Sequence, residues 1–280
     1  MQPYRYEELS WPQVREAVRR DPVVVLPVGT TEQHGPHLPL MTDYLTAGRI
    51  AEAAVRSLAE QAGADAPPAL VMHPVPYSFN EHHLDYPGTI AIDAHTIIDY
   101  LACIGRSLAH HGFRHLVLFN GHGSNVPFID IAARLVNNQT EAICAALSWW
   151  SLLHPEDLGW RESAYPGGFS HACEAETSLI LHLQGDLVDM TKAVKAMDEV
   201  QRSEHIFWDL AKGGPVNFQE FFSRNSSTGI QGDPTLATSE KGKVLTDAAA
   251  GHLASFLMEF RAREIRPRRD FHDRSQPASR

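Results

Sequence analysis

The sequence predicts an α/β fold in which helices cover both faces of a mainly parallel sheet. Short apolar runs alternate along the chain with longer segments of helical periodicity, and the links between them are short. Strands and helices in this order form βαβ units. The chain has 280 residues, of which 43% are hydrophobic and 21% charged, and this suits one large globular domain better than two.

Four apolar runs are the predicted strands of this sheet. Val23–Val28 reads VVVLPV, an uninterrupted and largely β-branched run that is typical of a strand buried on both faces. The run HLVLFN ends directly before the segment NGHG, so the third strand leads straight into polar residues. The strands after the first are predicted at Leu70–Val75, His115–Asn120 and Ala142–Trp149.

Five segments have the periodicity of helices. Residues 42–61 place apolar side chains on or near one helical face, with Thr42 or Asp43 as the N-cap. Residues 241–263 show the same spacing and predict the last helix. The three helices between them are predicted at Ile97–His111, Val126–Val136 and Glu174–Gln184.

The remaining segments define the limits of the domain. Residues 213–240 are rich in Gly, Asn, Ser and Pro, which predicts a long ordered loop or cover. Beyond Arg261 the chain is rich in Arg and poor in apolar residues. We predict a single domain over residues 1–262 and a tail over residues 263–280 that is mobile or used in contacts between subunits.

Composition and charge exclude several classes of protein. Acidic residues number 34 against 24 basic ones, so the net charge of −10 argues against a nucleic-acid-binding surface. No apolar run approaches the roughly 18 residues of a membrane span, and the N-terminus lacks the pattern of a secretion signal. Three widely spaced cysteines form no disulfide framework or thiolate zinc site, and this predicts a cytoplasmic location.

Polar clusters follow the first and third predicted strands, where ligands gather in an open parallel sheet. The segment at residues 29–43 contains Glu32, His34 and Asp43, and the segment at residues 120–125 contains His122. If the two strands are neighbours, these side chains converge on one crevice. Imidazole and carboxylate groups bind Zn²⁺, Mn²⁺ or Fe²⁺, and a carboxylate can bridge two such ions. Glycines on both sides of His122 are expected to allow a sharp turn that points it inward.

A third cluster, at residues 169–178, places His171 just before a predicted helix that begins with Glu174 and Glu176. A histidine there is a candidate proton donor or acceptor. Each of these residues also has an ordinary interpretation. The two glutamates would be acids of a first helical turn. Asp43 would be only an N-cap and each histidine only a capping or surface residue. The combination of all of them at strand ends is what favours a metal site.

The segments LPVGTTEQHGPHLPLMTD, NGHGSN and HACEAETS resemble the signature segments of the creatininase family. YPGTI and GDPTLATSEKG match the family as well, so the resemblance extends from about Val23 to Phe260. It implies a three-layer α/β/α fold and a homo-oligomer, often a hexamer, that acts on a small-molecule substrate. It also implies two divalent ions per subunit, Zn²⁺ first and Mn²⁺ or Fe²⁺ as alternatives.

The resemblance also assigns roles to individual residues. Glu32 and His122 would hold one metal, His34 and Glu176 the second, and Asp43 would bridge them. His171 corresponds to the catalytic histidine of the family. Glu174 would lie beside the metal ligands rather than among them.

The implied reaction is hydrolysis of a C–N bond in a small cyclic or linear amide by a metal-activated hydroxide. Creatininase, which gives the family its name, has a glutamate where this chain has Ser124, and a tryptophan and an aspartate where it has Gly167 and Gly168. These differences argue against creatinine as the substrate. Residues near Tyr77, His83 and Trp149–Trp150 either line a different pocket or pack at loop ends.

Three other functions remain open at this level. The same two-metal site would hydrolyse a formamide, a peptide-like cofactor precursor or an oxidised cyclic sugar. A non-catalytic metal-stabilised binding protein is disfavoured by the presence of His171. A phosphate-binding module at NGHGSN is disfavoured because the segment lacks the lysine and the spacing of a P-loop.

Overall fold

A four-stranded parallel sheet forms the centre of the protein, in a computed structural model that describes residues 3–63, 65–198 and 202–272. The strand order is β2-β1-β3-β4, so β1 and β3 are neighbours in the middle of the sheet. The prediction of a parallel sheet is therefore confirmed. The strands are β1 (Val23–Val28), β2 (Ala69–Val71), β3 (His115–Asn120) and β4 (Ile143–Ser148).

Helices cover both faces of the sheet and complete the three-layer arrangement. One apolar core lies between one face of the sheet and the helices α2, α5 and α6, and a second lies between the other face, α3 and α4. The apolar side of α1 packs against the second core. The helices are α1 (Trp11–Val18), α2 (Thr42–Ala62), α3 (Ala94–His110), α4 (Val126–Gln139), α5 (Glu174–Gln184) and α6 (Ser239–Ala262).

Two local predictions are wrong, and one helix was not predicted. β2 ends at Val71, because the chain leaves the sheet before Pro74 and returns only for a single bridge between Val75 and Val28. The short helix α1 was not predicted at all. The N-cap of α2 is Met41, and the Thr42 hydroxyl donates instead to the carbonyl of Pro39. Asp43 lies inside the first turn, so its carboxylate is available for another role.

The register of the sheet aligns the ends of the two central strands. Val28, the last residue of β1, pairs with Asn120, the last residue of β3. The loops that follow both strands therefore start at the same level, at the carboxyl edge of the sheet. Among the residues that the structure describes, no helix combines the length and the hydropathy needed to span a membrane.

Candidate metal centre and active site

The polar side chains that follow β1 and β3 meet at the carboxyl edge of the sheet. A carboxylate oxygen of Glu32 lies 3.1 Å from Nδ1 of His122. Asp43 contacts both histidines: its Oδ1 lies 3.0 Å from Nε2 of His34, and its Oδ2 lies 2.9 Å from Nδ1 of His122. Four of the five proposed ligands therefore surround one small volume.

The fifth proposed ligand, Glu176, reaches the same volume from the first turn of α5. Its Oε1 lies 3.9 Å from Nε2 of His34. His34 contacts one oxygen of Asp43 and His122 contacts the other. Oε1 of Glu32 lies 3.1 Å from His122 and also 3.8 Å from Nε2 of His34, so the five side chains form one continuous cluster.

The burial of these groups is a test of whether they suit a metal. Four of the five are at most 4% exposed, and Glu176 is 8% exposed. Many of their polar atoms have no hydrogen-bond partner, which is costly for a buried charged group. Divalent cations would satisfy the carboxylate oxygens and Nε2 of His34, and the donor set fits such ions. The unpartnered atoms are both carboxylate oxygens of Glu32, Nε2 of His34, Oδ2 of Asp43, Nε2 of His122 and Oε2 of Glu176.

The pKa values in this cluster show how strongly its carboxylates attract positive charge. Burial raises the pKa of Glu32 to about 7, although His122 opposes the shift. Burial lowers the pKa of His122, but the adjacent Glu32 and Asp43 outweigh it and raise the value to about 10. Burial opposes ionisation of Asp43, yet His34 and His122 hold its pKa below the usual range. The site thus concentrates negative charge that needs nearby cations.

The backbone next to His122 is fixed by Asn120 and by a close approach of α2. Asn120 accepts a hydrogen bond from the His122 amide at 3.1 Å and donates to its carbonyl at 2.8 Å. A Cβ atom at Gly121 would lie 2.4 Å from the carbonyl oxygen of Asp43. Gly121 is therefore needed for packing against α2. His122 points into the site as predicted. Neither Gly121 nor Gly123 has a positive φ, so a left-handed conformation is not the reason for glycine at these positions.

His171 lies beside the proposed ligands and is held by two segments. Its backbone forms a pair of hydrogen bonds with Gln231, of 3.0 and 2.8 Å. Its Nδ1 lies 3.6 Å from a carboxylate oxygen of Glu32, inside the site. Its Nε2 lies 2.9 Å from the backbone carbonyl oxygen of Gln33 and 3.0 Å from the side-chain amide nitrogen of the same residue. Gln33 thus offers an acceptor and a donor to one ring nitrogen, which supports either tautomer.

His83 extends the polar side of the site. Its Nδ1 lies 2.9 Å from the side-chain nitrogen of Gln33, and its Nε2 lies 3.7 Å from Glu32. Its ring packs between His171, at 4.5 Å, and Phe222, at 4.5 Å. Burial, followed by the charge of His171, lowers the pKa of His83 well below its usual range. A neutral imidazole at His83 is therefore favoured next to the proposed ligands.

A cavity of about 300 Å³ lies directly above the cluster. Its floor includes Glu32, Asp43, His122, His171 and Glu176. Its walls come mainly from residues 202–231, the segment that the sequence predicted in part as a loop or cover. They combine aromatic and aliphatic side chains with polar and charged ones, among them Arg202 and Glu220. The wall residues include Trp150, Phe207, Trp208, Val216, Phe218 and Phe222.

Ser124 connects the cover to the floor. Its hydroxyl lies 3.1 Å from Nε2 of His82 and accepts a hydrogen bond of 2.6 Å from the side chain of Gln219. Ser124, His82 and Gln219 all line the cavity. The position where creatininase has a glutamate is thus part of a neutral hydrogen-bonded wall.

Of the other residues considered for the pocket, Trp150 lines the cavity and Glu174, Tyr77 and Trp149 do not. Glu174 is fully buried, accepts hydrogen bonds from the backbone of Glu162 and Ser163, and pairs with Lys241 at 2.6 Å. Tyr77 is half exposed and does not line the cavity. Trp149 belongs to the apolar core, whereas Trp150 lines the cavity.

Several residues of the site were not found from the sequence. Gln33 lies within a motif in which only the charged residues and histidines were considered as candidates. The aromatic residues of the cavity wall had an available signal, because five Phe and Trp residues occur within positions 206–222.

Comparisons with known proteins show the family of this chain. The family model described as creatinine amidohydrolase matches residues 7–257. The chain belongs to the creatininase family. A mycofactocin precursor peptide peptidase of Mycolicibacterium smegmatis is 36% identical over 225 residues, covering 79% of this chain and 78% of that protein. A 3-dehydro-scyllo-inosose hydrolase of Thermotoga maritima is 28% identical, covering 92% and 84% of the two chains.

Solved structures of creatininase share the fold. A structure named as creatininase with Mn superposes with a TM-score of 0.77 at 27% identity and covers 94% of this chain and 100% of its own. A mutant creatininase of the Zn-Zn type gives a TM-score of 0.74 at 27% identity with the same coverage. The three-layer fold predicted from the resemblance is confirmed, and this family member is a hydrolase.

Proposed function

We propose that this protein is a dinuclear metal-dependent amidohydrolase that cleaves the C–N bond of an amide flanked by an apolar or aromatic group. One observation carries the proposal. Four buried side chains and Asp43 itself, all with unpaired oxygen or nitrogen atoms, form one cluster under a cavity that His171 also lines. The neutral hydrogen-bonded wall at Ser124 and the aromatic side chains of the cover narrow the proposal to a class of substrate.

The residues divide into two proposed metal positions. Glu32 and His122 would hold one cation and His34 and Glu176 the other, with one oxygen of Asp43 facing each. Divalent ions at such positions activate a water molecule and polarise a carbonyl group. Zn²⁺ suits the donor set best, and Mn²⁺ and Fe²⁺ accept the same ligands.

His171 is the proposed proton carrier. Its Nδ1 faces the ligand cluster, while Gln33 provides a partner for Nε2 in either tautomer. The ring can therefore take up a proton from the attacking water and deliver it to the leaving nitrogen without losing its orientation. The rings of His34 and His83 pack against the imidazole of His171 and restrict its rotation.

The cavity walls favour an amide with an apolar or aromatic neighbour. The rings of Trp150, Phe207 and Trp208 offer a surface for such a group. Creatinine is disfavoured, because Gly167 and Gly168 lie outside the cavity lining and Ser124 carries no charge. The similarity to a peptide peptidase supports a peptide-like amide.

A substrate panel tests the proposal. The protein, loaded with Zn²⁺ or Mn²⁺, is assayed on short peptides with an aromatic residue beside the scissile bond and on matched peptides with alanine there. Creatinine, an aryl formamide and a keto-inositol complete the panel. We expect metal-dependent cleavage of the aromatic peptides, with a higher kcat/KM than for the alanine peptides. Turnover of creatinine or the keto-inositol without any peptide cleavage would overturn the proposed substrate class.

A further inference from the structure

Two histidines and an aspartate meet on the surface, and none of them lines the cavity. His154 and Asp157 belong to the segment that follows β4, and His252 lies on α6. The rings of His154 and His252 stack with their centroids 4.2 Å apart. Oδ2 of Asp157 lies 2.8 Å from Nε2 of His252. Two separate parts of the chain thus bring three possible metal ligands together.

The spacing of these ligands is close to what a cation needs. One ligand atom from each residue lies within 4.8 Å of the other two. Metal–nitrogen distances of about 2.0–2.1 Å place tetrahedral ligands about 3.4 Å apart. The side chain of His154 is 56% exposed, so it can make the remaining adjustment, whereas that of Asp157 is only 19% exposed and is fixed.

A candidate fourth ligand lies beside His154. A carboxylate oxygen of Glu156 lies 3.5 Å from Nδ1 of His154. The backbone amide of His154, followed by the side chain of His252, holds the pKa of Asp157 below its usual range, so this carboxylate is ionised at neutral pH. Two imidazoles and two carboxylates form a donor set that suits Zn²⁺ and other late first-row divalent cations.

We propose that His154, Asp157 and His252, with Glu156 as the fourth donor, form a second metal site that binds Zn²⁺ and joins the segment after β4 to α6. This segment continues to Glu162 and Ser163, whose backbone amides bind Glu174 at the start of α5. Occupation of the surface site therefore stabilises the helical layer next to the active site. The metal ion at this surface site takes no part in the reaction.

Calorimetric titration of the holoenzyme with ZnCl₂ tests this site. The active-site positions are filled beforehand and unbound metal is removed, so only additional binding is measured. We expect one further equivalent of Zn²⁺ per chain, and a higher Tm once it is bound. Absence of any further binding at zinc concentrations well above that of the protein would overturn the proposal.

Variants distinguish a built site from general surface binding. His252→Ala is expected to weaken the additional binding at least about tenfold, as loss of one ligand from a small set does. Asp157→Asn keeps the shape of the side chain and should produce a similar loss, which covers the case in which His252→Ala does not fold. His110→Ala is the control, because that exposed histidine on α3 is in none of the metal-ligand groups of the described residues. Equal zinc binding by all three variants would show adventitious surface binding and contradict the site.

Discussion

The floor and the cover of the active-site cavity are built in different ways. Two floor residues, Asp43 and Glu176, lie in the first turns of α2 and α5, and the others lie in short loops that start at the aligned ends of β1 and β3 or just before α5. These loops are anchored at the edge of the sheet. The cover is formed by residues 202–231, which contain a single short 3-10 turn at Phe222–Arg224. It contacts the floor mainly through Gln219, which donates to Ser124, through the ring of Phe222, which packs on His171, and through the backbone of Gln231.

Because of this difference, we expect the floor to carry out the reaction and the cover to select the substrate. A rigid floor holds the proposed metal ligands and His171 in one geometry, as a preorganised site requires. An irregular cover presents aromatic surface that can differ between relatives without disturbing the floor. We therefore expect floor substitutions to change kcat and metal content, and cover substitutions to change mainly KM.

The largest expected effect comes from removing a floor ligand. His122→Ala should lower kcat/KM by about 10³-fold or more, since loss of a metal removes several kcal/mol of transition-state stabilisation. Steady-state kinetics and elemental analysis of the same sample provide the measurement. His110→Ala, an exposed surface change, should keep both activity and metal. If His122→Ala retained most of its activity, the floor would not be the site of chemistry.

His171→Ala separates proton transfer from metal binding. Its kcat should fall by about 10²–10⁴-fold, which is the usual contribution of a general acid–base group. The metal content should not change, because the proposed ligands remain. Loss of metal together with activity would assign His171 to the ligand set instead. Partial recovery of kcat with added imidazole would support the proton-transfer role.

Glu174 and Glu176 provide a matched pair within one helical turn. Glu174→Ala leaves Lys241 without its buried partner, which should cost about 3 kcal/mol of unfolding free energy. The kcat of the folded protein should be nearly unchanged. Glu176→Ala should instead lose metal and activity. Denaturant unfolding combined with metal analysis distinguishes the two, and identical behaviour of the variants would refute the assignment.

The smallest expected effect comes from the cover. Trp208→Ala removes aromatic surface from the cavity wall and should lower kcat/KM about tenfold, mostly through KM. Trp11→Ala changes a tryptophan that is 73% exposed and lies outside the cavity, so it is the control. A fall in kcat as large as that of His171→Ala would mean that the cover also positions the reacting groups.

The same contrast explains how much could be predicted from the sequence. β1, β3 and α5 were predicted with their observed limits, because their apolar patterns are uninterrupted and end at clear polar residues. The approach of Glu32, His34, Asp43 and His122 followed from the rule that ligands gather at adjacent strand ends.

The rest depended on contacts that no local pattern encodes. The hydrogen bonds of Gln33 to His83 and His171 join residues that are 50 and 138 positions apart. The need for Gly121 arises from the packing of α2 on β3, not from its own backbone conformation. The role of Glu174 depends on Lys241, which is 67 positions away on α6.

The central claim is that the floor holds two metal ions, and metal content per chain tests it most directly. Protein purified without chelator and freed of weakly held ions is compared by elemental analysis with a His34→Ala/His122→Ala variant, which lacks one ligand from each position. We expect about two equivalents of metal per chain in the wild type and a sharp decrease in the variant. A wild-type protein that remains without metal after incubation with Zn²⁺ or Mn²⁺ would contradict this claim.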